Sequence, residues 1–226
     1  AMAGKNPLKK ILDSIKAAGV TKADALFYCG DYTQSMSSLS ATTDGVNAVK
    51  DVFSDVVPKS NMTFVQGNHD IMSGGSGLTP SGNNDPKNGE YGVYVINNDD
   101  YMWYNNDHNA VKNTAQRLID YLNEKIDVGY DRPIFVLSHL PLHYSMRTNK
   151  EGDAQYSIYL LDALNKAAAK GLNIFYLFGH DHSNGWDDYL GGASVYLKKG
   201  DKILVCKAGS RTNILEKDLN FTYMNA

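Results

Sequence analysis

Four short apolar runs, each closing on a side chain able to ligate a metal, constrain this chain more than any other feature. The runs are Ala25–Cys29, Asn61–Val65, Pro133–Leu137 and Asn173–Phe178. They end in Gly30-Asp31, Gly67-Asn68-His69-Asp70, Ser138-His139 and Gly179-His180-Asp181-His182. Each run has the length and composition of a strand buried on both faces. Between them lie helical periodicities. Leu8, Ile11, Leu12 and Ile15 follow Pro7 and stop at Gly19, and Val46, Val49 and Phe53 mark a second helix from about Asp44. Ala115, Leu118, Ile119, Leu122 and Ile126 mark a helix over Asn113–Ile126, and another runs from Ser157 to Lys170 before Gly171. Strands alternating with helices predict a largely parallel sheet covered by helices. Ligands of such sheets bind beyond the carboxyl ends of the strands, so the four polar clusters should meet at one edge.

Each of these residues has a plain structural alternative. Asp31 after Gly30 can start a turn, Asn68 can occupy a left-handed turn position, and His139 can be a satisfied core histidine. His180 and His182, two imidazoles two residues apart, are harder to assign to packing. Four such clusters at corresponding strand ends favour a metal site over coincidence. Carboxylate, amide oxygen and imidazole without thiolate suit Mn, Fe, Ni or Zn. Cys29 and Cys206 sit inside apolar runs and read as buried structural thiols, neither ligand nor nucleophile. A Gly-x-Ser-x-Gly elbow and a glycine-rich phosphate loop with its lysine are both absent.

The remaining stretches read as follows. Ser73–Gly89, dense in Gly, Pro, Asn and Asp, is a long loop. Tyr91–Ile96 and Tyr101–Tyr104 flank Asn97-Asn98-Asp99-Asp100 as a hairpin, and Ser194–Leu197 with Lys202–Lys207 form a second around Lys199-Gly200-Asp201. Phe221–Met224 begins a further strand. One domain spans residues 1–226, a length able to bury a substantial core without disulfide or structural metal. A net charge of -3 leaves no electrostatic footprint for nucleic acid or an anionic membrane, and no apolar stretch reaches the length of a membrane span. The 15 Tyr and many Asn lean toward an extracellular surface; compartment and oligomeric state are otherwise unread.

Taken in order, Gly30-Asp31, Gly67-Asn68-His69-Asp70, Ser138-His139 and Gly179-His180-Asp181-His182 resemble the motifs of the calcineurin-like metallophosphoesterase family over nearly the whole chain. The resemblance implies a four-layer α/β/β/α sandwich, with the C-terminal hairpin in the second sheet. It implies two metals, with Asp31 bridging, Asn68, His139 and His180 completing one site, and His182 in the other. His69 would contact the phosphoryl group or the leaving oxygen, with Asp70 orienting it. The implied activity is hydrolysis of a small phosphate mono- or diester by attack of a metal-bound hydroxide.

The family also carries Asp-x-His at the end of a first strand. No His here is preceded two positions earlier by Asp, among His69, His108, His139, His143, His180 and His182. The reading is therefore a domain truncated at its N-terminus, with the first strand missing, an exposed sheet edge or unfilled slot, and one metal held more firmly than a second. The rival reading is a non-catalytic binding protein of the same fold. For the substrate, the loops Thr33–Thr43, Ser73–Gly89 and Leu140–Tyr156 should rim the cleft. Arg147, His143, Tyr144, Trp186 and Tyr189 are candidate lining residues, each with an ordinary surface or packing role as the alternative.

Overall fold

The computed structural model describes residues 5–34, 38–75, 79–98, 107–144, 153–181 and 195–225. The chain runs α1 (Lys5–Ala17), β1 (Leu26–Tyr28), α2 (Leu39–Phe53), β2 (Met62–Phe64), a single turn α3 (Asn68–Asp70), β3 (Gly82–Asn83) and β4 (Gly92–Val95). It continues through α4 (His108–Asp127), β5 (Ile134–Leu137), α5 (Ile158–Ala169), β6 (Ile174–Phe178), β7 (Tyr196–Leu197), β8 (Lys202–Cys206), β9 (Ile214–Asp218) and β10 (Thr222–Asn225). This is the mixed α/β class that the alternation of apolar runs predicts. None of the described helices is long and apolar enough to cross a membrane.

The four motif-bearing strands do not share one sheet. β1 pairs in parallel with β2, while β5 and β6 lie inside a six-stranded sheet of order β3-β4-β5-β6-β10-β7. Period-two alternation explains how both sheets are buried on both faces. On β1 and β2, Leu26, Tyr28, Met62 and Phe64 face α1 and α2, where they join Leu8, Leu12, Val49 and Phe53. Phe27, Cys29 and Val65 face the other way, against Val93, Val95, Phe135, Leu137 and Leu177 of the larger sheet. The far face of that sheet, with Ile134, Val136, Ile174, Tyr176 and Phe178, packs on Val111, Leu118 and Leu122 of α4 and Leu160, Leu161 and Leu164 of α5.

Several local expectations need correction. Helix α2 starts at Leu39 rather than near Asp44, because the Ser38 hydroxyl accepts the Ala41 N–H and caps an earlier turn. Helix α4 starts at His108 rather than Asn113, because Asp107 caps it through the Asn109 N–H. The loop Ser73–Gly89 contains β3, which pairs antiparallel with β4. Of the first expected hairpin, 101–104 lies outside the described residues, and β4 pairs with β3 and β5.

The second expected hairpin does not form. The Lys199-Gly200-Asp201 turn is real, with Gly200 at φ 96, but β7 pairs with β10 and β8 pairs with β9. The reason is burial. Ile203 and Val205 of β8 enter the core beside α5, while Lys202 meets Asp218 and Glu216 across the β8–β9 ladder. β10 then lies parallel to β6, in register from Thr222 with Phe175 to Asn225 with Phe178.

Among the described residues β1 has a strand partner on one side only. A cavity of about 500 Å3 lies beside it, lined by Leu8, Ile11 and Ile15 of α1, by Leu26–Asp31, and at one end by His139 and His180.

Candidate metal centre

Parallel pairing carries the carboxyl ends of β1 and β2 to one edge, and those of β5 and β6 to the edge facing it. The ends of β1 and β6 do not simply run on; both turn sharply. Gly30 and Asp31 take φ 96 and 56, and His180 takes φ 63. Asp31 and His180 are the only described non-glycine residues with positive φ, a conformation costing a side-chain-bearing residue about 1–2 kcal/mol. Unfavourable backbone at two candidate ligands is the pattern of a site whose surroundings over-determine it.

The side chains converge. His139 Nε2 lies 3.1 Å from Asn68 Oδ1, 3.4 Å from Asp31 Oδ2 and 3.2 Å from His180 Nδ1. His180 Nδ1 is 3.1 Å from the same Asn68 oxygen. First-row ions hold nitrogen and oxygen ligands at about 2.0–2.2 Å, so two ligands of one ion stand roughly 3.0–3.5 Å apart. The four contacts fall in that range, three of them made by His139 Nε2, and the ligand atoms of Asp31, His139 and His180 lie within 4.8 Å of one another, a group able to hold a cation.

Donor chemistry agrees. His139 Nδ1 lies 2.6 Å from the Cys29 carbonyl, which takes its N–H and leaves Nε2 as a bare lone pair directed at two oxygens. Asn68, His139 and His180 are buried, and the Asp31 side chain is 18% exposed. Burial alone would raise the Asp31 carboxyl, but the His139 and His69 imidazoles beside it, with the His69 N–H, hold it well below the usual carboxylate range. A group of lone pairs this close is a natural seat for a divalent ion.

Asp70 does not do what the sequence reading expects of it. It is fully buried, and its oxygens accept the N–H groups of Asp31 (2.8 Å), Gly67 (2.9 Å) and Tyr32 (3.1 Å). Burial pushes its carboxyl up to about 6, against the pull of the Gly67 N–H. Asp70 thus ties the β1 loop to the β2 loop, and no contact reaches the His69 ring. That ring is set by the Gln34 carbonyl, 3.0 Å from Nδ1, while the His69 N–H donates to Asp31 Oδ1 at 3.1 Å. His69 sits at the partly exposed rim beside Asp31. His182, Arg147, Trp186 and Tyr189 lie outside the described residues.

Sequence reasoning passed over three supports. Asn98 is buried, and its side-chain oxygen accepts from the Ser138 hydroxyl (3.1 Å) and the His139 N–H (3.3 Å), steadying the turn that presents His139. It follows β4, so the rule applied to the other strand ends would have found it. His143, a candidate lining residue with a core role as the alternative, takes the core role: it is wholly buried and bonded to Asp181 and Tyr223. Cys29 acts through its carbonyl, while burial pushes its thiol up to about 12 and leaves it protonated and inert.

Two sheets in face-to-face contact, with oxygen and imidazole ligands gathered where their strand ends meet, define an α/β protein with a candidate divalent-metal centre. The model of the calcineurin-like phosphoesterase family matches residues 2–184, and the chain belongs to that family. A search of the curated proteins finds no match. Membership supports a phosphoesterase-type hydrolase that depends on metal.

Proposed function

We propose that the chain hydrolyses a small phosphate mono- or diester with water, at a site where Asp31, Asn68, His139 and His180 hold a divalent ion, with His182 serving a second. The observation that carries this reading is the convergence on His139 Nε2 of Asp31, Asn68 and His180 at 3.1–3.4 Å, with His180 Nδ1 also 3.1 Å from Asn68 Oδ1. Mn, Fe, Zn and Ni all suit the ligand set. When bound, such an ion supplies a Lewis acid that draws charge from the phosphoryl oxygens and acidifies coordinated water.

The chain's own residues supply the rest. The Cys29 carbonyl and Asn98 orient His139, and Asp70 locks the loops that carry Asp31 and Asn68. His69, with Nδ1 against the Gln34 carbonyl, keeps Nε2 for the substrate. From the rim, as the imidazolium with its other N–H held by the Gln34 carbonyl, it would donate a hydrogen bond or a proton from Nε2 to the leaving oxygen.

The test is a panel of phosphate mono- and diesters assayed with added Mn, on the wild-type protein and on His139→Ala and His69→Ala. The reading expects Mn-dependent turnover that a chelator abolishes, that fails in His139→Ala and that falls steeply in His69→Ala. Firm metal binding with no turnover on any ester would instead favour a non-catalytic binding protein.

A further inference from the structure

We propose that His143 and Asp181 form a buried brace that positions His180 for metal binding. Both are positioning residues, and the inference rests on the metal reading above. His180 lies at the centre of a three-residue turn, with φ 63 and the Asp181 N–H donating back to the Gly179 carbonyl at 2.7 Å. This positive-φ γ-turn is rare and strained, and it persists only where surrounding contacts hold it.

The contact lies one residue further on. Asp181 Oδ2 is 3.0 Å from His143 Nε2, with side chains 7% and 0% exposed. His143 is fixed in turn, its Nδ1 lying 2.8 Å from the Tyr223 hydroxyl. That hydroxyl accepts the Leu142 N–H at 2.8 Å and the His143 N–H at 3.2 Å. Two incoming N–H groups occupy both lone pairs of the hydroxyl oxygen, so its own proton goes to Nδ1. The remaining ring proton of His143 is then on Nε2, directed at the Asp181 carboxylate. Backbone amides thereby set the direction of every bond in the relay.

Tyr223 is itself held fast. Its ring stacks on Phe178 at 4.6 Å and Tyr176 at 5.6 Å, and β10 pairs with β6 up to Asn225. The relay therefore runs from the core of the six-stranded sheet through Tyr223, His143 and Asp181 to the turn that presents His180. A pair serving only polar satisfaction could sit anywhere in the core. This one grips the residue that follows the strained position.

Co2+ alone is the probe, titrated into wild type, His143→Leu, Asp181→Ala and His143→Gln, and followed by its visible d–d absorption. Loss of a support behind a metal ligand typically weakens binding about 10–100-fold. His143→Leu and Asp181→Ala are expected to bind Co2+ that much more weakly, with a changed spectrum. His143→Gln, whose amide still donates to Asp181, should stay within a few-fold of wild type by retaining the charge-assisted bond. If His143→Leu does not fold, Asp181→Ala against His143→Gln decides alone. Wild-type Co2+ affinity and spectrum in the folded Asp181→Ala protein, whatever its melting temperature, would overturn the brace while leaving the metal reading intact. A wild-type chain that binds no Co2+ would overturn both.

Discussion

Replacing Gly67 with alanine isolates one methyl group at the heart of the candidate centre. Gly67 has φ -91 and ψ 175, which any residue can adopt, so the cost of alanine there is steric alone. The added Cβ would fall almost on Asp31 Oδ1, 2.9 Å from Asp31 Cγ and 2.5 Å from its amide nitrogen. Comfortable carbon contacts are about 3.5–4.0 Å, so the Asp31 carboxylate and its backbone nitrogen must both withdraw, by roughly 0.6–1.5 Å. Overpacking of this kind costs about 1–3 kcal/mol. In a chain of this size that corresponds to a melting temperature lower by roughly 2–12 °C. Metal affinity should fall about 10–100-fold, since a ligand of the 3.1–3.4 Å cluster moves out of register with the other three. Calorimetric titration with Mn, beside a thermal melt in chelator, reads both effects. Gly129→Ala is the control: φ 64 with open space around the new Cβ gives a conformational cost and no contact with the site. A Gly67→Ala protein that binds Mn as wild type does would refute the placement of Asp31 against Gly67, and with it the coordination geometry.

Four further outcomes follow from the site and from other contacts. Elemental analysis after dialysis against Mn or Zn should find one equivalent held more firmly than any second, and none in His139→Ala; two equally firm ions would contradict this. Neither Cys29 nor Cys206 should react with a thiol reagent at pH 8 until urea unfolds the chain, because both are buried, with thiols pushed up to about 12 and about 11. The stability Cys29 contributes is full below its ordinary value of 9.0 and is lost as pH climbs toward 12, so Cys29→Ala should flatten the alkaline decline seen by urea titration. Asp85 accepts the Val93 N–H and the Tyr121 hydroxyl at 2.7 Å each and pairs with Lys125. Asp85→Ala should therefore cost about 2–3 kcal/mol in urea unfolding, with Mn affinity unchanged.

The motifs were legible because they are local: a buried run followed by a ligand-type side chain can be read without knowing its neighbours. Distribution between sheets was not legible. Nothing in Ala25–Cys29 or Pro133–Leu137 states that the first joins a two-stranded pair and the second a six-stranded sheet, since both are apolar on both faces. Strand partners at the C-terminal end failed for a related reason. A good turn at Lys199–Asp201 suggests a hairpin, but the choice between β9 and β7 as partner of β8 depends on burying Ile203 and Val205. Asp70 was misassigned because three backbone N–H groups, from segments up to 39 residues apart, compete for its carboxylate. Backbone donors leave no signature in sequence. The same holds for His143, whose partners come from β10 and from the end of β6.

The centre straddles a seam. Asp31 and Asn68 leave the two-stranded sheet, His139 and His180 leave the six-stranded one, and among the described residues no strand ladder joins the two. An ion held by all four would act as a rivet between halves otherwise joined by side-chain packing and a few polar contacts such as the one from His139 to Cys29. Occupancy and cohesion then become one quantity. Hydrogen exchange in α1, β1, α2 and β2 should slow on loading, while the amides of β5 and β6 change little. Metal would regulate not only chemistry but how often this half of the molecule lets go.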